Sequence, residues 1–410
     1  MKILVVCHRF PFPPQRGGKI RPFNVIRHLA ARHQVTVCSL VRSDQEAREA
    51  QGLAAHCHRH HAVRVSEWLQ TLRMILRLPS AVPSSMGYFH SGDLLRLLSR
   101  LIVAESFDLV FVHCSSVAPM VARALAHSPT TPAILDFGDM DSQKWLGYRY
   151  FKPFPVSWGY WLEGLKLARA ERTLAGEFAH CTATTRAEWS HLDSLGAALS
   201  TDWFPNGVDA GYFQSSGQAC DPLRLCFVGR MDYFPNQQAM QDFCGEVLPR
   251  LQASHPGLRL DIVGANPSRA IRQLGQRPGI TVTGSVSDVR PFLRDALAMV
   301  APLRIARGTQ NKILEAMAMG VPVVTTRLAA GGVDAIPGQH LLVADSVDEQ
   351  VAAISHLLTD RDHRDALAAA GRARILAHHD WAHSMERLDR IIERVLGQER
   401  PSPIVERQAA

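Results

Sequence analysis

Short apolar runs alternate with longer amphipathic segments along the whole chain. The runs are nearly continuous in Val, Ile, Leu and Ala, which is typical of parallel strands that are buried on both faces. The segments between them have the apolar spacing of helices. This alternation predicts an α/β protein, and its recurrence in both halves predicts two doubly wound, Rossmann-like domains. Strands are predicted at residues 2–7, 35–41, 109–114, 133–137 and 180–185 in the first half, and at 223–229, 258–264, 280–284, 297–302 and 321–326 in the second.

The pattern breaks near residues 196–222, where the helical spacing is lost and Gly, Pro, Asn, Asp and Ser accumulate. These residue types are common in turns and linkers. We therefore predict a first domain at residues 1–200 and a second at 201–380, with a ligand cleft at the carboxyl ends of their strands. A further helix is predicted at 381–397. The polar, proline-containing residues 398–410 are predicted to form a flexible tail.

Composition limits the cellular setting that we expect. The chain has 410 residues, of which 46% are hydrophobic, and this is enough for two cores. No apolar run has the length of a membrane span, and the first strand is too short for a signal peptide. The eight cysteines are scattered without a C-x-x-C pair, so we expect free thiols in a reducing compartment. These features predict a cytoplasmic protein.

The charge balance points to acidic partners. A formal net charge of +7 favours phosphorylated substrates, anionic lipid surfaces or nucleic acid. The sequence contains no zinc finger, no RNA-recognition motif and no interleaving of basic with aromatic residues. Nucleic acid is therefore not an expected partner.

Two loops have features that suit phosphate binding. After the first strand, Gly17 and Gly18 open a helix, so bare backbone amides can approach an anion. A glycine pair is equally consistent with a simple turn. After the strand at 223–229, Gly229 is followed by Arg230, whose planar guanidinium can bind a diphosphate. An isolated arginine is more often a surface residue, and no G-x-G-x-x-G motif supports a dinucleotide enzyme.

A third loop follows the strand at 297–302 and leads into the segment RGTQNKILEAMAMGVPVVTT. Gly308, Thr309 and Gln310 offer backbone amides before a helix that is predicted to begin near Asn311. Lys312 and Glu315 then lie one turn apart on one face of that helix. A carboxylate in this place can accept hydrogen bonds from a vicinal diol such as a ribose, and a lysine near the positive end of the helix suits phosphates.

These motifs together resemble the retaining glycosyltransferases of the GT-B fold, the glycogen-synthase-like and mannosyltransferase-like group 1 family. The resemblance rests on the GG pair, the G-R pair and the pattern N-K-x-L-E-A-M-A-x-G-x-P-V-V-x-T, and it covers nearly the whole chain. Further stretches resemble a bacterial subgroup of sugar transferases associated with exosortase and exopolysaccharide gene clusters. They are LDFGDMDSQKW (135–145), the run at 163–172, PNGVDAGYF (205–213) and GRMDYFPN (229–236).

The resemblance implies a nucleotide-diphospho-sugar donor, such as a UDP- or GDP-sugar, that is held by the second domain. Glu315 would bind the ribose, Gly229 and Arg230 the diphosphate, and the amides of 308–311 the sugar end. Gly17 and Gly18 would close on the phosphate, and His113 would lie close to the donor sugar. The alternative for His113 is a strand-end histidine with only structural contacts. The resemblance also implies that helix 381–397 docks on the first domain.

Two positions depart from the pattern of this family. Most relatives carry a glutamate eight residues before the one that matches Glu315, and here that residue is Arg307. Most also carry a lysine six residues after the arginine of the G-R pair, and here it is Asn236. We hypothesise that Lys312 supplies the missing positive charge from the neighbouring loop, with Arg307 as a helper. The absent glutamate leaves open whether the donor sugar is oriented in the usual way.

The chemistry implied by the resemblance needs no metal or other cofactor. Retaining enzymes of this kind are thought to react on one face of the sugar, while preplaced charges such as Arg230 and Lys312 neutralise the leaving diphosphate. Asp139 and Asp141 have D-x-D spacing, but they lie in the predicted acceptor domain. A cap of the following helix by Asp141 or Ser142 is the alternative that we favour. The histidine-rich residues 56–61 are interpreted as a polar loop and not as a metal site.

Two segments could lie at a membrane surface, where lipid-linked acceptors reside. Residues 66–80 and 158–176 each place apolar residues on one face with arginines at its edges, a pattern of interfacial helices and also of ordinary core-facing helices. We therefore expect a glycan or polyprenyl-linked acceptor and peripheral contact with the inner membrane. The remaining alternatives are a nucleotide-sugar epimerase on the same fold and a non-catalytic nucleotide-sugar-binding protein.

Overall fold

The computed structural model describes residues 1–14, 17–214, 217 and 220–397. The predicted tail at 398–410 lies outside the described residues. Within them the chain forms two parallel sheets of seven and six strands. This confirms the predicted α/β fold with two doubly wound domains.

The first sheet has the order β3-β2-β1-β4-β5-β6-β7, and all its neighbouring strands run parallel. The direction of the winding changes between β1 and β4, which places a crevice at the carboxyl ends of these two strands. Its strands are β1 (Lys2–Cys7), β2 (Gln34–Val41), β3 (Arg59–Arg64), β4 (Leu109–His113), β5 (Ala133–Gly138), β6 (His180–Ala183) and β7 (Thr201–Trp203).

The second sheet has the order β10-β9-β8-β11-β12-β13 and is also parallel throughout. Its winding changes direction between β8 and β11, so this sheet too has a crevice at the carboxyl ends of two central strands. Its strands are β8 (Asp221–Val228), β9 (Arg259–Val263), β10 (Ile280–Gly284), β11 (Ala296–Ala301), β12 (Val323–Thr325) and β13 (Leu342–Val343).

Helices cover both faces of the two sheets, as parallel strands require. In the first half they are α1 (Gly17–Ala30), α2 (Asp44–Glu49), α3 (Glu67–Leu76), α4 (Ser84–Tyr88), α5 (Gly92–Ala104), α6 (Ala118–Leu125), α7 (Asp141–Tyr148), α8 (Val156–Glu177) and α9 (Arg186–Ser194). In the second half they are α10 (Phe234–Asp242), α11 (Leu248–Ser254), α12 (Arg269–Leu274), α13 (Arg290–Asp295), α14 (Asn311–Ala318), α15 (Arg327–Ala330), α16 (Val347–Thr359), α17 (Arg361–His378) and α18 (Trp381–Gly397). Residues 50–55 and 149–151 form 3-10 turns, and 243–247 form a π-helical turn between α10 and α11.

The interpretation of residues 56–61 as a polar loop was wrong in part. Residues from Arg59 onward form β3, which pairs with β2 at the edge of the first sheet. An edge strand has one solvated side, so it needs no continuous apolar run. Two other short strands, β7 and β13, also lay outside the predicted set, and β7 places residues 201–203 in the first sheet.

Alternate residues of the first sheet serve two separate cores. Leu4 and Val6 of β1 pack into the cluster beneath α5, α6 and α8, whereas Ile3 and Val5 pack into the opposite cluster with α1. The last helix, α18, lies on this second cluster and contributes Met385, Leu388, Ile391, Ile392 and Val395. The C-terminal helix therefore packs on the first sheet, although the second sheet immediately precedes it in the chain.

Helix α3 turns its apolar side chains outward. Gln70 is its one buried residue, and Trp68 is 70% exposed. We call this surface the α3 apolar face, and it consists of Trp68, Leu69, Leu72, Ile75 and Leu76. The core-facing alternative for residues 66–80 was therefore wrong. None of the described helices has both the length and the apolar character that a membrane crossing needs.

Candidate functional site

The carboxyl ends of the two sheets face each other across an interdomain cleft. Side chains of the first domain contact the loop after β8 at the cleft's edge. The hydroxyls of Tyr148 and Tyr233 are 2.9 Å apart, and the Lys152 ammonium lies 3.6 Å from the ring centre of Phe234. These contacts place the loops that were predicted from the sequence within reach of the first domain.

On the second-domain side, the structure brings Lys312 together with Asn236, one of the two residues that depart from the family pattern. The Lys312 ammonium, in the first turn of α14, donates a hydrogen bond to Asn236 Oδ1 at 2.6 Å. The same ammonium lies 4.6 Å from the ring centre of Phe227. Lys312 thus reaches from the third loop to the residue where relatives carry a lysine.

Gly229 makes this approach possible. A Cβ at Gly229 would lie 2.8 Å from Asn236 Nδ2 and 3.1 Å from Lys312 Nζ, so any larger residue would force the pair apart. The backbone after β9 is equally close, because a Cβ at Gly264 would lie 1.8 Å from the Gly229 carbonyl oxygen. The glycine of the G-R pair therefore leaves room for a polar pair beside the end of β8.

Glu315 lies one turn after Lys312 and is half-buried, like the lysine. Burial raises the pKa of Glu315 to about 7, and the charge of Lys312 opposes this shift. Burial likewise lowers the pKa of Lys312 to about 7, against the charge of Glu315. Each charge is desolvated and only partly compensated by the other. A ligand that offers anionic oxygens to Lys312 and hydroxyls to Glu315 would compensate both.

Arg230 is held by its own loop. Its guanidinium donates from Nε to Asp232 Oδ1 at 3.0 Å and from Nη2 to Oδ2. The side chain of Asn236 donates to the Arg230 carbonyl oxygen at 2.8 Å, which fixes the turn. Arg230 therefore lies at the predicted place, and Asp232 occupies part of the donor fork that a diphosphate would use.

The loop before α14 contacts the first domain closely. Gly308 has a left-handed backbone with φ of 58°, and a Cβ there would lie 1.8 Å from Asp139 Oδ1. Arg307 lies 3.9 Å from Glu188 Oε1, so its charge faces a carboxylate and not Lys312. The Thr309 hydroxyl is buried without a hydrogen-bond partner among the described residues, and the Gln310 amide donates to the Arg307 carbonyl at 3.0 Å.

On the first-domain side, His113 ends β4 and takes part in a buried ion network. Its Nδ1 lies 2.8 Å from Asp136 Oδ2, at the end of the neighbouring strand β5. Arg21 of α1 donates two hydrogen bonds of 2.8 Å to the same carboxylate, and Thr182 adds a third at 2.9 Å. Asp136 is completely buried. We call this set of four side chains the Asp136 network.

The charges of this network are mutually compensated. Burial would raise the pKa of Asp136, but the Arg21 guanidinium and the His113 ring outweigh it and hold the pKa well below its usual range. Since the carboxylate is ionised, His113 Nδ1 carries the proton of this hydrogen bond in the neutral ring. The other ring nitrogen, Nε2, is then a hydrogen-bond acceptor.

The Asp136 network also reaches the second domain. Arg21 donates to the Phe204 carbonyl at 2.8 Å and to Asn206 Oδ1 at 3.2 Å, both in the connection between the sheets. Asn206 in turn donates to Asn311 Oδ1 at 3.4 Å, at the start of α14. Hydrogen bonds thus run from His113 to the loop that precedes Lys312.

Gly17 and Gly18 form the first turn of α1, as the glycine-pair interpretation expects. Both are exposed, and a Cβ at either position would meet no atom within 4 Å. Packing within the protein therefore does not require a glycine at either position.

The prediction that Asp141 or Ser142 caps the next helix was wrong. Helix α7 begins at Asp141, its N-cap residue is Met140, and no side chain of the cap accepts a hydrogen bond. Two glutamates from other helices bind the free amides instead: Glu188 accepts from Met140 N at 2.9 Å, and Glu171 from Ser142 N at 2.9 Å. This leaves the side chains of Asp139 and Asp141 free of a capping role.

The acidic residues around α7 are desolvated. Burial, followed by the charge of Glu188, raises the pKa of Asp139 to about 6. Burial also raises the pKa of Glu188, while the Met140 amide and Arg307 oppose it. In the described part of the chain, no three His, Cys, Asp or Glu side chains are arranged to hold a metal ion.

Sequence reasoning missed Arg21, Asp136 and Glu188. Asp136 lies within the apolar run AILDF, where a charged residue is unusual and was a signal of a buried partner. Glu188 follows Thr185 in the spacing of a capping box, a pattern that hides its contact with Met140. Arg21 gave no signal beyond its place near the glycine pair.

Solved structures with the same architecture define the class of this fold. Anabaena HepE in complex with UDP matches with a TM-score of 0.71 at 14% identity, over 96% of this chain and 100% of that one. Sucrose-phosphate synthase from Thermosynechococcus elongatus matches with a TM-score of 0.68 at 14% identity, over 96% of this chain and 99% of that one. The fold and the two facing crevices are those of the GT-B class.

Sequence comparison identifies the family. A model described as "Glycosyl transferase 4-like domain" matches residues 16–207, and one described as "Glycosyl transferases group 1" matches residues 222–360. The two matches together cover about four fifths of the chain. The chain therefore belongs to the GT-B glycosyltransferases of group 1, as its motifs indicated.

Curated relatives match part of the chain. The GDP-mannose-dependent alpha-(1-6)-phosphatidylinositol monomannoside mannosyltransferase of Mycobacterium tuberculosis is 31% identical over 211 residues, which are 46% of this chain and 54% of that protein. Glycogen synthase of the same organism is 29% identical over 212 residues, which are 49% of this chain and 50% of that protein. The chain thus spans about half the length of the curated relatives that it matches.

Proposed function

We propose that this protein is a retaining glycosyltransferase that moves a sugar from a nucleotide-diphospho-sugar to a glycan or lipid-linked acceptor. One observation carries the donor half of this proposal. Lys312 and Glu315 lie one turn apart in the cleft, half-buried and incompletely compensated, with the Lys312 ammonium close to Gly229. A phosphate and a ribose diol are the groups that satisfy a lysine and a glutamate at this spacing.

Each group of the donor has a partner in this arrangement. Glu315 binds the ribose hydroxyls, and Lys312 and Arg230 bind the diphosphate. The amides of residues 308–311 face the sugar end, and Gly17 and Gly18 close on the phosphate from α1. UDP- and GDP-sugars are the donors we favour, since HepE was solved with UDP and the mannosyltransferase is named for GDP-mannose.

The proposed reaction requires little covalent chemistry from the protein. As the sugar leaves, negative charge builds on the diphosphate, and preplaced cations stabilise that charge without reorganisation. Lys312 and Arg230 fill this role without a metal. The acceptor proton passes to a phosphate oxygen of the donor on the face of the sugar where the bond breaks, so the anomeric configuration is retained. His113 Nε2 accepts a hydrogen bond from the donor sugar.

The contact between His113 and Asp136 favours one competing mechanism. A histidine supported by a carboxylate can act as a general base, remove the acceptor proton and give a product of inverted configuration. The charge of Asp136 is shared with Arg21 through two hydrogen bonds, which weakens its support of a histidine cation. We therefore favour the retaining path, and the anomeric configuration of the product by NMR decides between the two.

A thermal-shift panel tests the donor site. The native protein is heated with UDP, GDP, ADP, CMP and their sugars, and a ligand that binds only the folded state raises the melting temperature. We expect one nucleotide to stabilise the native protein and Glu386→Ala, an exposed glutamate on α18, but not Glu315→Ala. If no nucleotide shifts the native protein, the donor-site proposal is wrong.

Product analysis then separates the classes of function. A transferase consumes the donor faster when an acceptor is present, whereas an epimerase converts the donor without one. A binding protein shifts in the thermal assay but turns over no donor. Arg307 in place of the usual glutamate, paired with Glu188, is the feature that makes this last control necessary.

The acceptor half of the proposal rests on the outer surface of the first domain. The α3 apolar face exposes a tryptophan and four aliphatic side chains, and Arg73 and Arg77 flank it on the same helix and its end. Apolar side chains with arginines at their edge suit an anionic lipid surface. We infer peripheral contact with the cytoplasmic side of the inner membrane, a lipid-linked acceptor and a role in exopolysaccharide or cell-surface polysaccharide synthesis.

Vesicle sedimentation tests this membrane contact. The protein should sediment with vesicles that contain an anionic lipid, and Trp68→Ser with Leu76→Ser should release it. The matched control is Leu199→Ser with Tyr212→Ser, two exposed apolar residues on other surfaces. Equal sedimentation of the native protein with and without anionic vesicles would contradict the proposal.

A further inference from the structure

A second basic cluster lies on the first-domain side of the cleft, outside the donor site. β1 ends at Cys7 and β2 at Val41, so the residues that follow them leave the sheet at the same edge. These residues are His8, Arg9 and Arg42. Together with Tyr88 and Phe89, at the end of α4, they form what we call the basic pocket.

The aromatic rings hold the basic groups together. The guanidinium carbon of Arg42 lies 5.2 Å from the ring centre of Tyr88 and 5.1 Å from that of Phe89, and that of Arg9 lies 5.7 Å from Phe89. The ring of His8 meets Phe89 edge-on at 5.1 Å. Three basic side chains therefore surround a single aromatic ring.

The stacking leaves three polar atoms of the cluster unpaired. Arg42 Nε and Nη2 and His8 Nδ1 are shielded from solvent, and none has a hydrogen-bond partner among the described residues. A ring face attracts a guanidinium but accepts no hydrogen bond from its edge N–H groups. Buried N–H groups of a charged side chain are normally paired, because an unpaired one loses its hydration without compensation.

Positive charge exceeds negative charge in the pocket. Burial, and then the charge of Arg42, lowers the pKa of Arg9, as expected for two neighbouring guanidinium groups. The carboxylate near them is Glu46, which binds the Arg42 backbone amide at 2.9 Å and lies 4.0 Å from Lys19. That carboxylate is engaged with other groups, so the two arginines lack a full counter-charge.

The position of the pocket connects it with the proposed reaction. The rings of His8 and His113 are 5.8 Å apart, so the pocket adjoins the residue that faces the donor sugar. On the other side, Arg73 of α3 donates to the His90 carbonyl at 2.9 Å, directly after Phe89. The wall of the pocket thus continues toward the helix that bears the α3 apolar face.

We propose that the basic pocket binds the phosphate of a lipid-linked acceptor, with its lipid chain toward the α3 apolar face and its sugar toward His113. A phosphate that links a lipid to a sugar is anionic and accepts bidentate hydrogen bonds, which matches the unpaired Nε and Nη2 groups of Arg42 and the neighbouring charge of Arg9. Lipid is the favoured source of this phosphate because the pocket lies between the cleft and an exposed apolar surface. The proposal rests on the glycosyltransferase function but concerns its acceptor, not its donor.

Paired ligands test the pocket. The affinities of a short-chain polyprenyl phosphate and of the corresponding polyprenol, in the same detergent micelles, are measured by calorimetry on the full chain. We expect the phosphate to bind at least about tenfold more tightly than the alcohol, as hydrogen bonds to charged groups predict. This difference should disappear in Arg42→Gln and in Arg9→Gln. It should remain in Arg48→Gln, an exposed arginine on α2.

Two controls separate this result from failure of the donor site. The measurements are made with and without a saturating nucleotide, so that phosphate binding in the donor site is blocked in one series. Nucleotide affinity of Arg42→Gln should match that of the native protein, which also shows that the variant is folded. Arg9→Gln provides an independent variant should Arg42→Gln fail this check.

The source of the phosphate is tested with a soluble pair, glucose 6-phosphate and glucose. The proposal is supported if the protein prefers polyprenyl phosphate over polyprenol in a way that requires Arg42, and shows no such preference for glucose 6-phosphate over glucose. The opposite result, an Arg42-dependent preference in the glucose pair and none in the polyprenyl pair, overturns lipid as the source. No preference for phosphate in either pair, or a preference that survives in both Arg42→Gln and Arg9→Gln, overturns the pocket itself.

Discussion

The Asp136 network and Lys312, which lie on opposite sides of the cleft, differ in how completely their charges are paired. On the first-domain side, Asp136 is completely buried and accepts hydrogen bonds from Arg21 and Thr182. His113 Nδ1 lies 2.8 Å from the same carboxylate. On the second-domain side, Lys312 is half-buried and donates a hydrogen bond to the neutral side chain of Asn236. The Asp136 network is an ion network that the protein completes by itself, whereas the surroundings of Lys312 leave charge for a ligand to complete.

This difference predicts separate roles for the Asp136 network and for Lys312. A buried, fully paired network holds His113 in place and, through Asn206, also binds the connection between the sheets. Lys312 does not stabilise the fold in this arrangement, because desolvating a charge without full pairing costs free energy. Substitutions in the Asp136 network should therefore mainly reduce stability, and those around Lys312 should mainly reduce ligand affinity.

The largest effect is expected from Asp136→Asn, which keeps the shape of the side chain and removes its charge. The variant leaves Arg21 buried without a counter-charge, and breaking a buried pair in this way costs about 3–5 kcal/mol. Urea denaturation of the native protein and the variant measures this loss. A loss below about 1 kcal/mol, the range of an exposed pair, would contradict the claim that the network holds the first domain together.

The pH dependence of stability sharpens the same test. The pKa of Asp136 is lower in the folded protein than in the unfolded chain, so the unfolded chain binds more protons as the pH falls below about 4. The stabilisation from this carboxylate is thus present above about pH 5 and is lost on acidification. We expect the difference in the free energy of unfolding between the native protein and Asp136→Asn to shrink from pH 6 to pH 3. A constant difference would contradict the lowered pKa.

The sequence predicted the apolar parts of both sides well and the ion network poorly. Central strands such as β1 and β8 are recognisable because burial on both faces demands apolar residues. The charge of the aspartate in β5 is paired with Arg21, 115 residues away in the chain, and such a pairing has no local pattern. Glu188 was hidden for the opposite reason, because its local pattern predicts a capping box with Thr185. Thr185 does accept a hydrogen bond from the Glu188 amide, but the Glu188 carboxylate accepts from Met140 N.

The departures from the family pattern were more informative than the matches. The asparagine at position 236 led to the hypothesis that Lys312 supplies the missing positive charge. The 2.6 Å contact between the two side chains agrees with that hypothesis. Arg307 faces Glu188 in this structure, and its help to Lys312 stays a hypothesis. A motif indicates which residue types share a site, but the direction of an exposed arginine depends on the opposite domain.

An intermediate effect is expected at the Lys312 and Asn236 pair. Lys312→Ala removes the proposed charge-assisted contact with the diphosphate and should lower nucleotide affinity by about 10- to 100-fold, whereas Asn236→Ala should cost less than about fivefold. Stability should change little in either variant, and calorimetry with the nucleotide measures the affinities. Equal, small effects of the two substitutions would contradict the role of Lys312.

An exchange variant provides the control for that prediction. Lys312→Asn alone should lose affinity like Lys312→Ala, and Lys312→Asn combined with Asn236→Lys should recover most of it. The recovery is expected because the two side chains meet in one place, so a lysine from α10 can deliver the same charge. If the combined variant binds no better than Lys312→Asn, the position of the charge depends on α14 itself.

The smallest effect is expected from Asp232→Asn, which contrasts an exposed pair with the Asp136 network. Asp232 and Arg230 are both partly exposed, so the loss of their ion pair should change the free energy of unfolding by less than about 1 kcal/mol. The same change frees the Arg230 guanidinium for the diphosphate and removes a negative charge beside it. Nucleotide affinity should therefore rise by up to about fivefold, in contrast to every other substitution on this side of the cleft. Lower affinity in Asp232→Asn would mean that Asp232 orients Arg230 for the ligand and does not compete with it.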